Sequence, residues 1–524
     1  MESTTVSTTS PSRSDPQDID HKKARLALVL LTAFFALLLI FKMDAVAGGA
    51  DSSGYLNHAK QIASGRVHEP MRMIGDASPS SNPELSPFTY VPLGYVPSGT
   101  DQMVPTYPVG LSLLTAGVAI ITGWNASAGV TMGLHALAGP LLIYALARRL
   151  GLTRRWSLVG VILSALCPLY VMYSLQLMSD LPSLVWCAAT ILFAWQSRTR
   201  RVWALAAGVA FAAAVLIRPT NALLIFAIAL ALGFSWRNWL LFGLAGLPGA
   251  IFWAAYNQAA YGHPFASGYG NVLEIMGWPH FLGSWRHYLL WLPALLTPFA
   301  ILLFAFPRLL ISSPRVGWML FLWWGSFATF YAFYPFTQET WWYLRFILPA
   351  FPSFILTILT VASQLADRRN AAPFRFDNKR SQVLTTVLLA VILVSNIYWN
   401  RKLYTLHQRD RIHYAAACAW MREHLPENAI VLTMQTSGAL FFYTDFTLVR
   451  WDTLAEGGLT KIETAARHTG QPIYAATFPF EADETPGANS LINKFPGWEK
   501  LTVIGQTTIW KRTGSTPTLA LSTR

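Results

Sequence analysis

Charge is scarce in this sequence. Of its 524 residues, 12% are Asp, Glu, Lys or Arg, against 53% hydrophobic. A soluble chain of this length would need more polar residues than that to cover its surface, so a polytopic membrane protein is implied. Cysteine is nearly missing too: Cys167 and Cys187 fall inside apolar runs and Cys418 stands alone in the C-terminal region. That excludes a disulfide framework and any zinc-type spacing. No Gly-rich phosphate loop or nucleotide fingerprint occurs in the C-terminal region from Asn400 onward. Acids are scarcer than bases, giving a net charge of +13. The excess lies in short clusters between apolar runs, as membrane topology arranges it, which argues against nucleic acid as a partner.

The polar, Ser- and Thr-rich residues 1–23 read as a disordered tail. The run Ala24–Phe41 behind them has no small-residue cleavage site, so it reads as an uncleaved helix. A spanning helix takes about 20 apolar residues. On that measure about eleven candidate spans follow: Ala24–Phe41, Ala128–Ala147, Trp156–Ser174, Pro182–Gln196, Val202–Ile217, Asn221–Ser235, Asn238–Gln258, Arg286–Phe306, Gly317–Tyr334, Arg345–Leu365 and Val383–Trp399. A further apolar stretch, Val109–Thr122, decides the orientation of everything after it. If it does not cross, the basic clusters at Arg148 and Arg149, Arg154 and Arg155, Arg198 to Arg201, Arg237, Arg308 and Arg315, and Arg368 to Arg380 all share the side of Lys22 and Lys23. The positive-inside rule makes that side cytoplasmic. Val109–Thr122 is then expected to be an interfacial or re-entrant helix, broken off from what precedes it by Pro105 and Pro108.

The expected organisation is a cytoplasmic tail, a membrane domain over 24–399 with a long first outer loop (42–127), an extracytoplasmic domain over 400–512 and a disordered tail over 513–524. In the C-terminal domain, helical patterns at Arg409–His424 and Leu459–His468 alternate with β-like runs at Ala429–Met434, Thr447–Trp451, Pro472–Phe478 and near Leu501–Lys511. Such alternation predicts a small α/β domain serving as a lid or acceptor platform.

On this topology a few polar residues converge on the outer face. Asp51 opens a helical pattern in which Tyr55, Leu56, Ala59, Ile62 and Ala63 share one side; it is either a helix cap or a functional acid. Asp180 precedes Pro182 where the chain re-enters the membrane, and is either a cap or a carboxylate for a sugar hydroxyl or a metal. Arg218 and Arg345 sit at outer helix ends, against the positive-inside bias. They either snorkel to headgroups or recognise a phosphate. His263 lies in an aromatic loop, and Glu339 supplies another acid on that face.

Taken together, Asp51-Ser52-Ser53-Gly54-Tyr55, Thr106-Tyr107-Pro108-Val109-Gly110-Leu111, Tyr144 to Leu150, Cys167-Pro168-Leu169-Tyr170 with Asp180, Arg218-Pro219-Thr220 and Arg345 to Pro349 resemble the GT-C superfamily. These are multispanning glycosyltransferases that use lipid-linked sugars, such as the protein O-mannosyltransferases and the aminoarabinose transferases of lipid A. Where many relatives carry Pro-Pro, this chain has the single Pro108. The resemblance implies a polytopic α-helical fold, a polyprenyl-phosphate sugar donor and transfer on the outer face of a bacterial inner membrane. It implies that Asp51 is the base, that Arg218 and Arg345 hold the donor phosphate, and that the anomeric carbon inverts. Asp180, Glu339, His263 and Tyr55 then assist with acceptor, sugar or metal; the acceptor and a divalent metal stay open. The rival reading is a transporter or flippase, which would favour ionisable groups near the membrane midplane and internal repeats.

Overall fold

A computed structural model of the protein describes residues 16–43, 46–366, 379–406, 412–485 and 488–513. The N-terminal and C-terminal tails predicted above lie largely outside the described residues, as do Arg368, Arg369 and Arg375 of the last basic cluster. The first helix, Pro16–Lys42, begins ahead of the apolar run, within the stretch expected to be a disordered tail.

The expected fold class is the one found: a mostly helical membrane protein with a small C-terminal sheet. Among the described residues five helices are long and apolar enough to cross a membrane: His21–Lys42, Trp124–Arg149, Trp236–Tyr261, Trp341–Ala366 and Gln382–Lys402. Arg154–Leu166 and Pro168–Ser174 qualify as a sixth if counted as one span bent by 60°. The other predicted spans are mostly short or interrupted helices, and Pro314–Ala332, a continuous helix of 19 residues, is not apolar enough to count. Val202–Ile217 has 16 residues, and 3-10 turns at Pro219–Leu224 and Pro298–Ala305 replace α-helix where prolines remove an amide donor. Val109–Thr122 is a separate helix of 14 residues. At 1.5 Å per residue it is roughly 21 Å long, short of the bilayer's hydrocarbon core.

The long first loop carries the helix Gly49–Ala63 and a small antiparallel sheet that pairs Gln102–Pro105 with Glu69–Pro70 and with Tyr95–Ser98. The C-terminal domain has a five-stranded mixed sheet. Ile430–Leu432 pairs in parallel with Thr447–Val449 and Ile473–Thr477, and the hairpin Trp498–Ile504 and Thr507–Arg512 adds antiparallel strands. Alternate residues of each strand face opposite sides. Ile430 and Leu432 join a core shared with Ile74, Tyr90 and Val91 of the first loop, while Val431 packs on the other side with Cys418 and Met421. The first loop and the C-terminal sheet are thus built around one core.

Candidate active site

Asp51 lies in the first turn of Gly49–Ala63, whose N-cap is Gly48, and Asp180 in the first turn of Asp180–Gln196, whose N-cap is Ser179. Neither acid occupies the cap position itself. Both gain from the partial positive charge at a helix N-terminus. Each carboxylate meets an arginine: Arg345 Nη1 is 3.2 Å from Asp51 Oδ2, and Arg218 Nη2 is 2.6 Å from Asp180 Oδ1. Arg218 Nη2 also donates to Ser179 Oγ at 3.3 Å.

Broken helices make these pairs reachable. Arg218 ends Val202–Ile217 in an extended conformation, φ −150° and ψ 111°, because the residue before a proline is kept out of the helical region. Arg345 lies within the 3-10 stretch Trp341–Ala350. Two crossing backbones fix the other wall. A Cβ on Gly54 would stand 2.5 Å from the Tyr107 ring and 2.9 Å from Gly94 Cα, so only glycine lets the Asp51 helix lie this close to Tyr107. The Tyr55 and Tyr107 rings stack at 4.8 Å.

The four charged groups line one cavity of about 440 Å³, together with Tyr55, Tyr107, Tyr269, Tyr331 and Phe346. Formal charge within it balances, with two guanidinium groups against two carboxylates. The two acids differ in access: the Asp51 side chain is 29% exposed and Asp180 only 1%. Two buried donors have no partner, Arg218 Nη1 and Arg345 Nε. Unmet guanidinium N–H groups beside an open cavity are suited to an anion. Burial first, and then the nearby Asp51, push the Tyr55 and Tyr107 hydroxyls well above the ordinary tyrosine value, so both stay protonated. Asp51 is the more exposed of the two cavity carboxylates.

His263 and Glu339 are not brought to this cavity. His263 sits in an exposed turn, its Nδ1 accepting from the Phe265 amide at 3.2 Å. Glu339 lines a separate groove of about 910 Å³ with Arg286, His287 and Trp342. Among the described residues no three His, Cys, Asp or Glu side chains gather as a metal site. With both cavity carboxylates already paired to arginine, the donor set does not fit a dedicated cation. Tyr269, Tyr331 and Phe346 were not among the expected site residues, because aromatic side chains near helix ends read equally well as an interfacial belt.

Residues 105–255 match the family model described as dolichyl-phosphate-mannose-protein mannosyltransferase. No curated protein matches the chain. The fold is similar to the ArnT of Cupriavidus metallidurans bound to undecaprenyl phosphate, with a TM-score of 0.59 and 13% identity over 93% of this chain and 98% of that one. The same ArnT in its apo state gives 0.57 and 15% over the same shares. The oligosaccharyltransferase AglB of Archaeoglobus fulgidus, solved with an inhibitory peptide and a dolichol-phosphate, gives 0.54 and 14% over 96% of this chain and 75% of its own. The family match over residues 105–255 and the shared fold agree on a multispanning membrane enzyme with the GT-C fold. The protein is a glycosyltransferase.

Proposed function

We propose that the protein moves a sugar from a polyprenyl-phosphate donor to a hydroxyl or amine acceptor, with inversion at the anomeric carbon. The bond from that carbon to the phosphate oxygen breaks as the bond to the acceptor forms. The acceptor's proton passes to Asp51, and the departing phosphate gains one negative charge. Its departure needs positive charge more than a general acid, and two guanidinium groups supply it. The observation that carries this reading is one accessible carboxylate, Asp51, paired with Arg345 in a cavity that Arg218 also lines. The lipid phosphates bound by the similar ArnT and AglB structures support the same donor class. Leu273, exposed and part of the cavity lining, would offer an isoprenoid tail an apolar exit.

The transfer is assigned to the outer face of a bacterial inner membrane, with the N-terminus cytoplasmic and the C-terminal domain outside. A transporter would gather its charges near the membrane midplane and carry internal repeats. Here the charges gather at helix ends and breaks.

The test is purified protein with polyprenyl-phosphate sugars and candidate acceptors, comparing wild type with Asp51→Asn. Loss of a positioned base is expected to slow transfer by about 10²- to 10⁴-fold. Transfer at the wild-type rate would remove Asp51 from that role. Failure to consume any lipid-linked donor would instead favour transport.

A further inference from the structure

The helix that carries Asp51 has two working faces. Asp51 and Tyr55 look into the cavity. At helical spacing, positions 49, 53, 57 and 60 lie on the opposite side, and that side meets the C-terminal domain. Asn57 Nδ2 donates to the Gly438 carbonyl at 2.9 Å, and Lys60 Nζ donates to the Phe442 carbonyl at 2.9 Å while standing 3.7 Å over the Phe442 ring. A methyl group on Gly438 would overlap Ser53 Oγ, and one on Gly49 would touch Gln435 Nε2 at 3.8 Å. All of these partners belong to, or directly precede, the short helix Ser437–Tyr443.

The same short helix also grips the chain on either side of the Asp51 helix. Tyr443 Oη accepts from the Ala47 amide at 3.1 Å, just ahead of it. Ser437 Oγ accepts from the Leu93 amide at 3.0 Å, next to the Gly94 that crosses Gly54. Arg72 of the first loop donates to the Thr444 and Phe441 carbonyls at 2.6 and 3.2 Å, where a cation suits a helix C-terminus. On its other side, Ser437–Tyr443 is anchored to the sheet through buried Glu481. That carboxylate accepts from the Met434 and Gln435 amides at 3.0 and 3.4 Å, from Trp451 Nε1 at 2.8 Å and from the Phe478 amide at 2.8 Å.

From this geometry we infer that the C-terminal domain is a positioning element for the reaction, holding Asp51 in register with Arg345 through the contacts of Ser437–Tyr443 with Asn57, Lys60 and Ser53. Asn57 and Lys60 are positioning residues: neither is among the residues that line the cavity. The inference rests on Asp51 as the base. The phosphate site is built from Arg218 and Arg345 on other elements, so loosening the clamp changes the chemical step and leaves donor binding intact.

The test uses the full-length protein in detergent or nanodiscs. Asn57→Ala with Lys60→Ala removes two tethers without adding bulk, and Lys60→Arg keeps the cation as a rescue. The expected result is a kcat at least about tenfold lower for the double variant, since a small misplacement of a reacting group is costly. Affinity for polyprenyl phosphate should stay within about twofold of wild type, and Lys60→Arg alone should stay near the wild-type kcat. Gly438→Ala, which pushes the helix instead of releasing it, is the second variant if the first does not fold. A wild-type kcat per folded molecule, or a kcat lost only in step with folded protein, would overturn the inference. Asp51→Asn run alongside separates the two readings: if that variant is active, the base assignment has failed, whereas if only the clamp variants are active, the base stands and the positioning role does not.

Discussion

His58 belongs to the Asp51 helix, is buried at 1% exposure, and shares a 2.7 Å hydrogen bond between its Nε2 and the Tyr256 hydroxyl. Burial holds its imidazole neutral, lowering its pKa from 6.5 to about 3. The unfolded chain therefore binds more protons than the native one between those values. The stability this histidine contributes is complete above pH 6.5 and drains away as pH falls toward about 3. Thermal unfolding measured across that window should show wild type losing Tm steadily. His58→Asn, which cannot titrate, should give a flatter profile; an equal slope would assign the acid sensitivity to other groups. At this scale much of the site is legible in sequence. Asp51, Asp180, Arg218 and Arg345 stand out because an ionisable side chain near an apolar run is costly and so has a purpose. Their pairing is not legible, because Asp51 and Arg345 are 294 positions apart and only the fold brings them together. His263 and Glu339 are the same kinds of residue on the same expected face, yet they sit in a turn and in another groove. Residue type alone does not separate the two groups.

Helix breaks make the site. A continuous helix through Arg218 would satisfy its own backbone and turn the side chain with the next residue. Pro219 stops that by holding Arg218 in extended geometry, from which the guanidinium reaches Asp180. Pro219→Ala removes the restriction and lets Val202–Ile217 run on into the 3-10 turn. The expected outcome is a fully folded protein whose transfer rate falls by about tenfold or more, with weakened polyprenyl phosphate binding. Unfolding and turnover measured on one preparation check it, and unchanged turnover would mean that Arg218 is held by its ion pair alone. The prolines advertise such breaks in the sequence, but a 20-residue apolar window passes over them. This is one reason why about eleven stretches read as spans while five to six described segments are long and apolar enough to qualify. In the C-terminal domain the alternating strand and helix pattern was legible. Ser437–Tyr443 was not: at seven residues it is too short to display a helical period, and its role depends on what it touches.

Across the whole molecule, the cavity, the first loop and the C-terminal sheet lie together. Between the membrane helices, arginines cluster at ends such as Arg148 and Arg149 of Trp124–Arg149 and in the turn containing Arg198, Arg200 and Arg201. If the positive-inside rule orients the protein, that turn faces the cytoplasm and the C-terminal sheet faces outward. The natural cysteines make this directly measurable, because Cys167, Cys187 and Cys418 are all buried and should give little background labelling. Glu427, ahead of the first strand of the C-terminal sheet, and Thr199, in the arginine-bearing turn, are both exposed. In spheroplasts, Glu427→Cys is expected to react with a membrane-impermeant maleimide, and Thr199→Cys only after the membrane is permeabilised. The reverse pattern would put the cavity on the cytoplasmic side, within reach of nucleotide sugars. A water-soluble donor would have no need of the apolar exit beside Leu273, so that outcome would also undo the case for a lipid-linked one.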